Sequence, residues 1–262
     1  MRMLMCRPEY YGIEYEINPW MKKERGVINE VALQQWEILY QTILNCGGVV
    51  ELIPPVKGCP DMIFTANAGF FYKEKIILSH FKYKERQKEI PYFHAWFKQA
   101  GFEIVSSSIS DPYFEGEGDV LSANDNLFAG YGFRTDKRFY EETFLWAQKE
   151  LIYCELVNPS FYHLDTCFCP LNNQLALCYL PAFTKQSQEN ISNHMNVLSV
   201  NEEEAGHFAC NAIVLDKNVI LPAQCPLITQ TLEQYGFIVH ACEMSEYIKA
   251  GGACKCLVMR LF

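Results

Sequence analysis

Residues 85–108 read ERQKEIPYFHAWFKQAGFEIVSSS. Apolar residues three and four apart predict an amphipathic helix that stops at Gly101, and the β-rich stretch EIVSSS follows. The same order recurs along the chain. A helix is predicted from about Val27 to Leu44, then the strand VVELIP; RFYEETFLWAQKELIYCELVNP at 138–159 and QCPLITQTLEQYGFIVHACE at 224–243 repeat it. SVNEEEAGHFACNAIVLD at 199–216 adds a short helix capped by Ser199 or Asn201. The strands that follow helices fall near residues 50, 104, 154, 197 and 238. That is a faint period of roughly 40–55 residues, and five such units would fill the chain. A doubly wound sheet also alternates helix and strand, but no Gly-x-Gly-x-x-Gly follows a strand here to cradle a nucleotide. No stretch reads as a linker, so one domain over 1–262 is expected.

Half of the 262 residues are apolar and 14% are aromatic, enough for a sizeable core. The net charge of -9 argues against a nucleic-acid or anionic-membrane partner, since both need a basic face. It suits a cationic small molecule, though plain solubility explains an acidic chain equally well. The opening MRMLMCRPEYYG meets Glu9 too soon for a signal peptide, and no apolar run approaches the roughly 18 residues needed to span a bilayer. Twelve cysteines without such a signal point to a reducing, cytoplasmic setting in which most thiols are small buried hydrophobes.

Four stretches could carry chemistry. In FYHLDTCFCPL (161–171), His163 and Asp165 lie two apart in a β-rich segment and should share a face. An imidazole beside a carboxylate is held in one tautomer and can work as general acid and base, although His-x-Asp is common. In YFEGEGDVLSANDNLFAGYGFRTD (113–136), Glu115, Glu117 and Asp119 alternate with glycines on a turn entering a strand. Calcium is a possible reading, but the spacing is not that of an EF-hand loop. Downstream, Arg134 has the geometry to clamp a carboxylate through two parallel hydrogen bonds. In GCPDMIFTANAGFF (58–71), Asp61 and Asn67 flank the apolar run MIF, read as a buried strand delivering a polar group at its end. The chain closes with GGACKCLVMRLF (251–262), where Cys254 and Cys256 sit two apart as Cys167 and Cys169 do. One intervening residue strains tetrahedral zinc chelation, and a disulfide suits a reducing compartment poorly. Inert core thiols or a nucleophile paired with a distant histidine remain.

In this order, these pieces resemble the guanidine-modifying (pentein, or amidinotransferase-like) superfamily. The resemblance runs from NPWM at 18–21 through PDMIFTANAG at 60–69, FEGEGD at 114–119, GYGFRTD at 130–136 and FYHLDT at 161–166 to KAGGACKCLVMRL at 249–261. Each motif is weak alone; six in sequence are specific. The resemblance implies an α/β fold, a five-bladed α/β propeller with approximate five-fold symmetry. It also implies the roles. Cys256 matches the nucleophile and Cys254 a variable position; His163 matches the general acid/base, and Glu115 the acid that supports it and binds guanidinium. Asp165, Asn67 and Asp119 match substrate-binding positions. Arg134 and Arg86 match positions used for a substrate carboxylate, and Asn18 lies in an early loop near the substrate. FTANA and FEGEGD look most like arginine dihydrolase, whereas deiminases carry an aspartate where Asn67 falls. Leu257-Val258 departs from the usual pair, which includes a hydroxyl-bearing residue.

The chemistry so implied is attack by a cysteine thiolate on the guanidinium carbon of arginine, with a thiouronium intermediate hydrolysed by water. No metal and no cofactor is expected, and the partner expected is a small molecule, arginine or a close derivative. Dimethylarginine dimethylaminohydrolase, arginine deiminase and amidinotransferase are the alternatives within the superfamily. A catalytically silent arginine-binding module is the alternative from another class.

Overall fold

A computed structural model describes residues 1–72, 74–105, 112–123, 125–144 and 149–261. Its strands form five separate three-stranded sheets. The first joins β1 (Arg2–Cys6), β2 (Val49–Ile53) and β15 (Met259–Arg260) in the order β15-β1-β2. The second is β3 (Gly69–Tyr72), β4 (Lys75–Leu78) and β5 (Glu103–Val105); the third is β6 (Val120–Ala123), β7 (Asn126–Tyr131) and β8 (Leu151–Glu155). β9 (Phe168–Pro170), β10 (Leu175–Cys178) and β11 (Asn196–Ser199) make the fourth, and β12 (Ile213–Leu215), β13 (Asn218–Pro222) and β14 (Ile238–Cys242) the fifth.

Every sheet follows one rule. Its middle strand pairs antiparallel with one neighbour and parallel with the other. Parallel neighbours need a crossover, because a tight turn cannot return the chain in the same direction. A helix supplies it each time: Asn29–Asn45, Ile90–Gln99, Lys137–Thr143, Lys185–His194 and Pro226–Gln234. These are the five repeating units of the propeller, and the strands expected near residues 50, 104, 154, 197 and 238 are its parallel outer strands. The first sheet takes β15 from the far end of the chain, with Leu4 opposite Met259.

The helix Asn29–Asn45 shows why the pattern folds this way. Ala32, Trp36, Leu39 and Ile43 recur at helical spacing and are buried against the sheets. Gly101 and Gly236 follow their helices with φ of 85° and 84°, the left-handed conformation that ends a helix without a Cβ clash. The short helix Glu202–Gly206 is capped by Asn201, whose side chain accepts the Glu204 N–H at 2.8 Å.

Three expectations need adjustment. The run MIF is no strand: Pro60–Ile63 and Thr65–Ala68 are consecutive 3-10 turns. The helix Lys185–His194 was not foreseen. Its sequence KQSQENISNH buries little beyond Ser187 and Ile191, so it carries no apolar stripe to read. The strand expected over EIVSSS is described only for Glu103–Val105, and its remainder, like 145–148 of FLWAQ, lies outside the described residues. Among the described residues, no helix is long and apolar enough to cross a membrane.

Candidate active site

Four of the five inner strands are entered through a 3-10 turn. Thr65–Ala68 leads into β3, Gly116–Gly118 towards β6, Leu164–Thr166 towards β9 and Lys255–Leu257 towards β15. The turns pack together, and they carry Asn67, Glu115 with Glu117, His163 with Asp165, and Cys256 to the centre of the ring. Close packing excludes side chains from some positions. A Cβ on Gly118 would run into the Asn67 amide nitrogen and lie 3.3 Å from the His163 ring.

A narrow pocket opens between Ile17, Asn18, Phe64 and Tyr162, and its walls include Asp61, Asn67, Arg86, Arg134, His163, Gly252 and Cys256. On one side, His163 Nε2 lies 2.8 Å from Glu115 Oε2, and Arg134 Nη1 donates to the same oxygen at 2.9 Å. Burial alone would raise Glu115, but the charges of Arg134 and His163 and the imidazole hydrogen bond hold it well below the usual carboxylate range. Burial depresses His163 to about 4, offset in part by Glu115, so the free protein holds a neutral imidazole at neutral pH. Arg134 is clasped between the rings of Tyr83 and Tyr162, 4.7 and 4.6 Å from their centroids, and also donates to the Ile17 carbonyl.

On the other side, Cys256 Sγ lies 3.4 Å from Asp165 Oδ2 and accepts from Asn211 Nδ2 at 3.1 Å. Burial and the Asp165 charge push the thiol well above its ordinary value. Burial also raises Asp165, to about 7, against the opposing charge of Lys255. Among the described residues its buried Oδ1 has no hydrogen-bond partner, and neither has Oδ1 of Asp61. Asp61 lines the pocket itself, and an orphaned carboxylate oxygen there is a place for a donor-rich cation.

Of the residues singled out from sequence, Cys256, His163, Asn67, Arg86, Arg134 and Asn18 all line this pocket. Glu115 and Asp165 touch it through His163 and Cys256. Asn18 ties the entrance together, donating to Tyr162 Oη and to the Ala250 carbonyl. Arg86 is heavily engaged: a two-pronged pair with Glu89, a bond to Asn67 Oδ1 at 2.8 Å and bonds to the Asp61 and Phe64 carbonyls. Asp119 sits one layer back. Its oxygens accept from Thr135 Oγ1 at 2.6 Å and from the Leu164 N–H at 3.1 Å, so it fixes the backbone beside His163. Glu117 is turned away from the pocket onto Lys255 at 2.9 Å. Cys254 is buried and does not line the pocket. At Leu257-Val258, Thr65 Oγ1 donates to the Leu257 carbonyl at 2.9 Å, so a hydroxyl from another unit reaches this turn.

Two residues of the site were not singled out as site residues. Asp61 was noted only as flanking MIF. Asn211 holds the loop that carries Cys256: its Oδ1 accepts the N–H groups of Ala253 and Cys256, both at 3.1 Å, while Nδ2 donates to the Asp165 carbonyl as well as to Sγ. The signal was present in the repeat, since Asn211-Ala212 precedes β12 as Asn67-Ala68 precedes β3.

The family model described as N,N dimethylarginine dimethylhydrolase, eukaryotic, matches residues 7–262. The bifunctional arginine dihydrolase/ornithine cyclodeaminase ArgZ of Synechocystis sp. is 41% identical over all of this chain. The chain spans only 38% of that relative's length. A dimethylarginine dimethylaminohydrolase of Mycobacterium tuberculosis is 35% identical over 99% of this chain and 85% of its own. Among solved structures, the N-terminal domain of ArgZ, as a cysteine-to-serine variant bound to substrate, superposes with a TM-score of 0.95. It is 41% identical, over 99% of this chain and 97% of that one. With five matching propeller units and a family match over nearly its whole length, the chain belongs to the N,N-dimethylarginine dimethylhydrolase family of guanidine-modifying proteins.

Proposed function

We propose that residues 1–262 act as one catalytic domain that hydrolyses the guanidinium of arginine, with Cys256 as nucleophile, through two rounds to ornithine. The observation that carries this reading is the pairing across one pocket of a thiol against Asp165 with an imidazole against Glu115, beside the neutral amide of Asn67.

Arginine's cation is stable because its charge is shared by three nitrogens. Asp165 and Glu115 meet it with directional, charge-assisted hydrogen bonds, and the orphaned Asp61 oxygen is suited to the α-ammonium. Arg134 and Arg86 supply positive charge for the α-carboxylate. In the free protein, burial and Asp165 keep the thiol protonated. The bound cation reverses this, since a positive charge beside sulfur favours the thiolate. The thiol's proton passes to His163, the thiolate attacks the central carbon, and the imidazolium so formed protonates a departing nitrogen, which leaves as ammonia. His163 then deprotonates water, which attacks the thiouronium carbon, releases Cys256 and gives citrulline. In a second round the ureido carbon is attacked, a second ammonia leaves, and water releases a carbamate that breaks down to ornithine and carbon dioxide.

Asn67 favours the second round. Arg86 fixes the amide orientation by donating to Oδ1, and among the described residues Nδ2 makes one long bond, 3.4 Å, to the Glu115 carbonyl. A neutral amide donor can hold a ureido oxygen, whereas a carboxylate there would repel it. The arginine dihydrolase activity of the ArgZ relative is in accord with this reading; the dimethylarginine activity of the M. tuberculosis relative keeps methylated arginine as the second candidate. Incubation with arginine, citrulline and dimethylarginine, with products identified by mass spectrometry, tests it. Ornithine with two equivalents of ammonia is expected from arginine; citrulline as the end product, or turnover of dimethylarginine alone, overturns it.

A further inference from the structure

Building on that reading, we propose that Lys255 is a positioning residue: its buried ammonium, moored on Glu117, acts through Asp165 to keep that carboxylate ready for the substrate's cation. Lys255 immediately precedes the nucleophile in the turn Lys255–Leu257 and is only 7% exposed. Its Nζ donates to Glu117 Oε2 at 2.9 Å and to the Val258 carbonyl at 3.0 Å. The same Glu117 oxygen accepts the Arg260 N–H at 3.0 Å, so the anchor is itself held by the final strand.

A buried ion pair is a poor stabiliser, because desolvating two charges offsets most of their attraction. Stability therefore gives little reason for a lysine here. Asp165 gives a better one. Lys255, Glu117 and Asp165 line a second cavity, distinct from the substrate pocket and walled by inner-strand residues such as Val120, Phe168 and Ile213. Asp165 links the two spaces, since its Oδ2 reaches Cys256 Sγ. Among the described residues its Oδ1 has no hydrogen-bond partner, and the carboxylate is met by the Cys256 thiol at 3.4 Å and by the Asn211 amide beside it. A carboxylate so poor in donors protonates readily. Lys255 is the strongest influence opposing that, while Glu117 pushes the other way.

The groups facing Asp165 come from several elements. Lys255 and Cys256 belong to the last turn, Glu117 and Asp119 to the segment around Gly116–Gly118, Tyr162 and Cys167 to its own segment and Cys169 to β9, with the neutral Asn211 beside them. Lys255 is the one cation of this set.

The two ends of the ion pair can therefore be told apart. If Lys255 and Glu117 only hold the fold, removing either should act in the same direction. If Lys255 works through Asp165, the signs are opposite. Arginine affinity of the Cys256→Ser protein is measured against pH by calorimetry, alongside kcat/KM profiles with the thiol intact. Lys255→Met should move the acid limb of both profiles up, each unit weakening binding about tenfold below the limb. Lys255→Arg should leave the limb near its original place. Glu117→Gln should move it down, because a charge that raises Asp165 is gone. Lys255→Met with Glu117→Gln leaves no unpaired buried charge, and its limb should lie between those of Lys255→Met and the unmodified protein. Limbs that coincide, or that shift the same way in both single variants, overturn the proposal. Should Lys255→Met not fold, an unmoved limb in the double variant does so. Failure of the unmodified protein to bind or consume arginine instead overturns the functional reading beneath it.

Discussion

Asn211→Ala removes the clamp on the turn that carries Cys256, and its cost can be worked from the contacts. Asn211 is fully buried and makes four hydrogen bonds, to the N–H groups of Ala253 and Cys256, the Asp165 carbonyl and Cys256 Sγ. Alanine leaves the two backbone N–H groups without an acceptor, at about 1–3 kcal/mol each. The sum, about 2–6 kcal/mol, is a large part of the roughly 5–15 kcal/mol that holds a domain together. At about 2–4 °C per kcal/mol for a chain of this size, Tm should fall by roughly 4–24 °C. Asn211→Asp perturbs the other end of the amide. It keeps the oxygen that accepts both N–H groups but sets a carboxylate oxygen in place of the donor to Sγ and to the Asp165 carbonyl. Losing a hydrogen bond to a developing thiolate costs about 1.5–3 kcal/mol, or roughly 10- to 150-fold in kcat/KM. Thermal unfolding followed by circular dichroism, with arginine turnover on the same preparations, reads both quantities. Both variants should lose stability and rate, Asn211→Ala through its two orphaned N–H groups and Asn211→Asp through the carboxylate it buries against the Asp165 carbonyl and Sγ. An alanine variant with unchanged Tm and kcat/KM would refute the assigned clamp.

Cys254→Ser should retain most turnover, because that thiol is buried outside the pocket; a steady-state assay in which it is as inactive as Cys256→Ser would mean the nucleophile is misassigned. Asn67→Asp places a second carboxylate beside Glu115 and should halt the reaction at citrulline, a change visible in the ornithine-to-citrulline ratio by mass spectrometry. His163 carries a stability prediction. Its folded value near 4 lies below the unfolded 6.5, so between these the unfolded chain binds more protons and folding weakens as pH falls. The effect is on the order of 3 kcal/mol across that window, from about 1.4 kcal/mol per unit. The Tm of the protein relative to His163→Gln should therefore drop between pH 7 and pH 4.5; a constant difference would show that the imidazole is not held neutral.

The propeller was legible because its unit is local. A helix, a stop and a parallel outer strand lie within one short stretch, and the apolar spacing of Ala32, Trp36, Leu39 and Ile43 or the glycine after Gln99 can be read without tertiary knowledge. The helix Lys185–His194 escaped for the same reason reversed. Thr184 caps it through the Ser187 N–H, and the sheet beneath asks little of its polar sequence. MIF misled because an apolar run looks alike whether it is a buried strand or two tight turns packed at the ring's centre. The site was legible as residue types, and the resemblance supplied the order. Their division of labour was not. Glu115, Glu117 and Asp119 look equivalent in EGEGD, yet the turn sends one to His163, one to Lys255 and one to Thr135. Only three-dimensional placement separates them. Asn211 was hidden because nothing in HFACNAIV marks it except its likeness to the Asn-Ala of another blade.

The central claim is that Cys256 forms a covalent bond to the guanidinium carbon. Mixing the protein with arginine, quenching in acid within the first turnover and mapping the peptides by mass spectrometry tests it most directly. The account predicts an adduct confined to the peptide spanning Gly251–Arg260, on Cys256, and absent from Cys256→Ser. Ornithine or citrulline formed at an undiminished rate by Cys256→Ser, or an adduct on another residue, would contradict it.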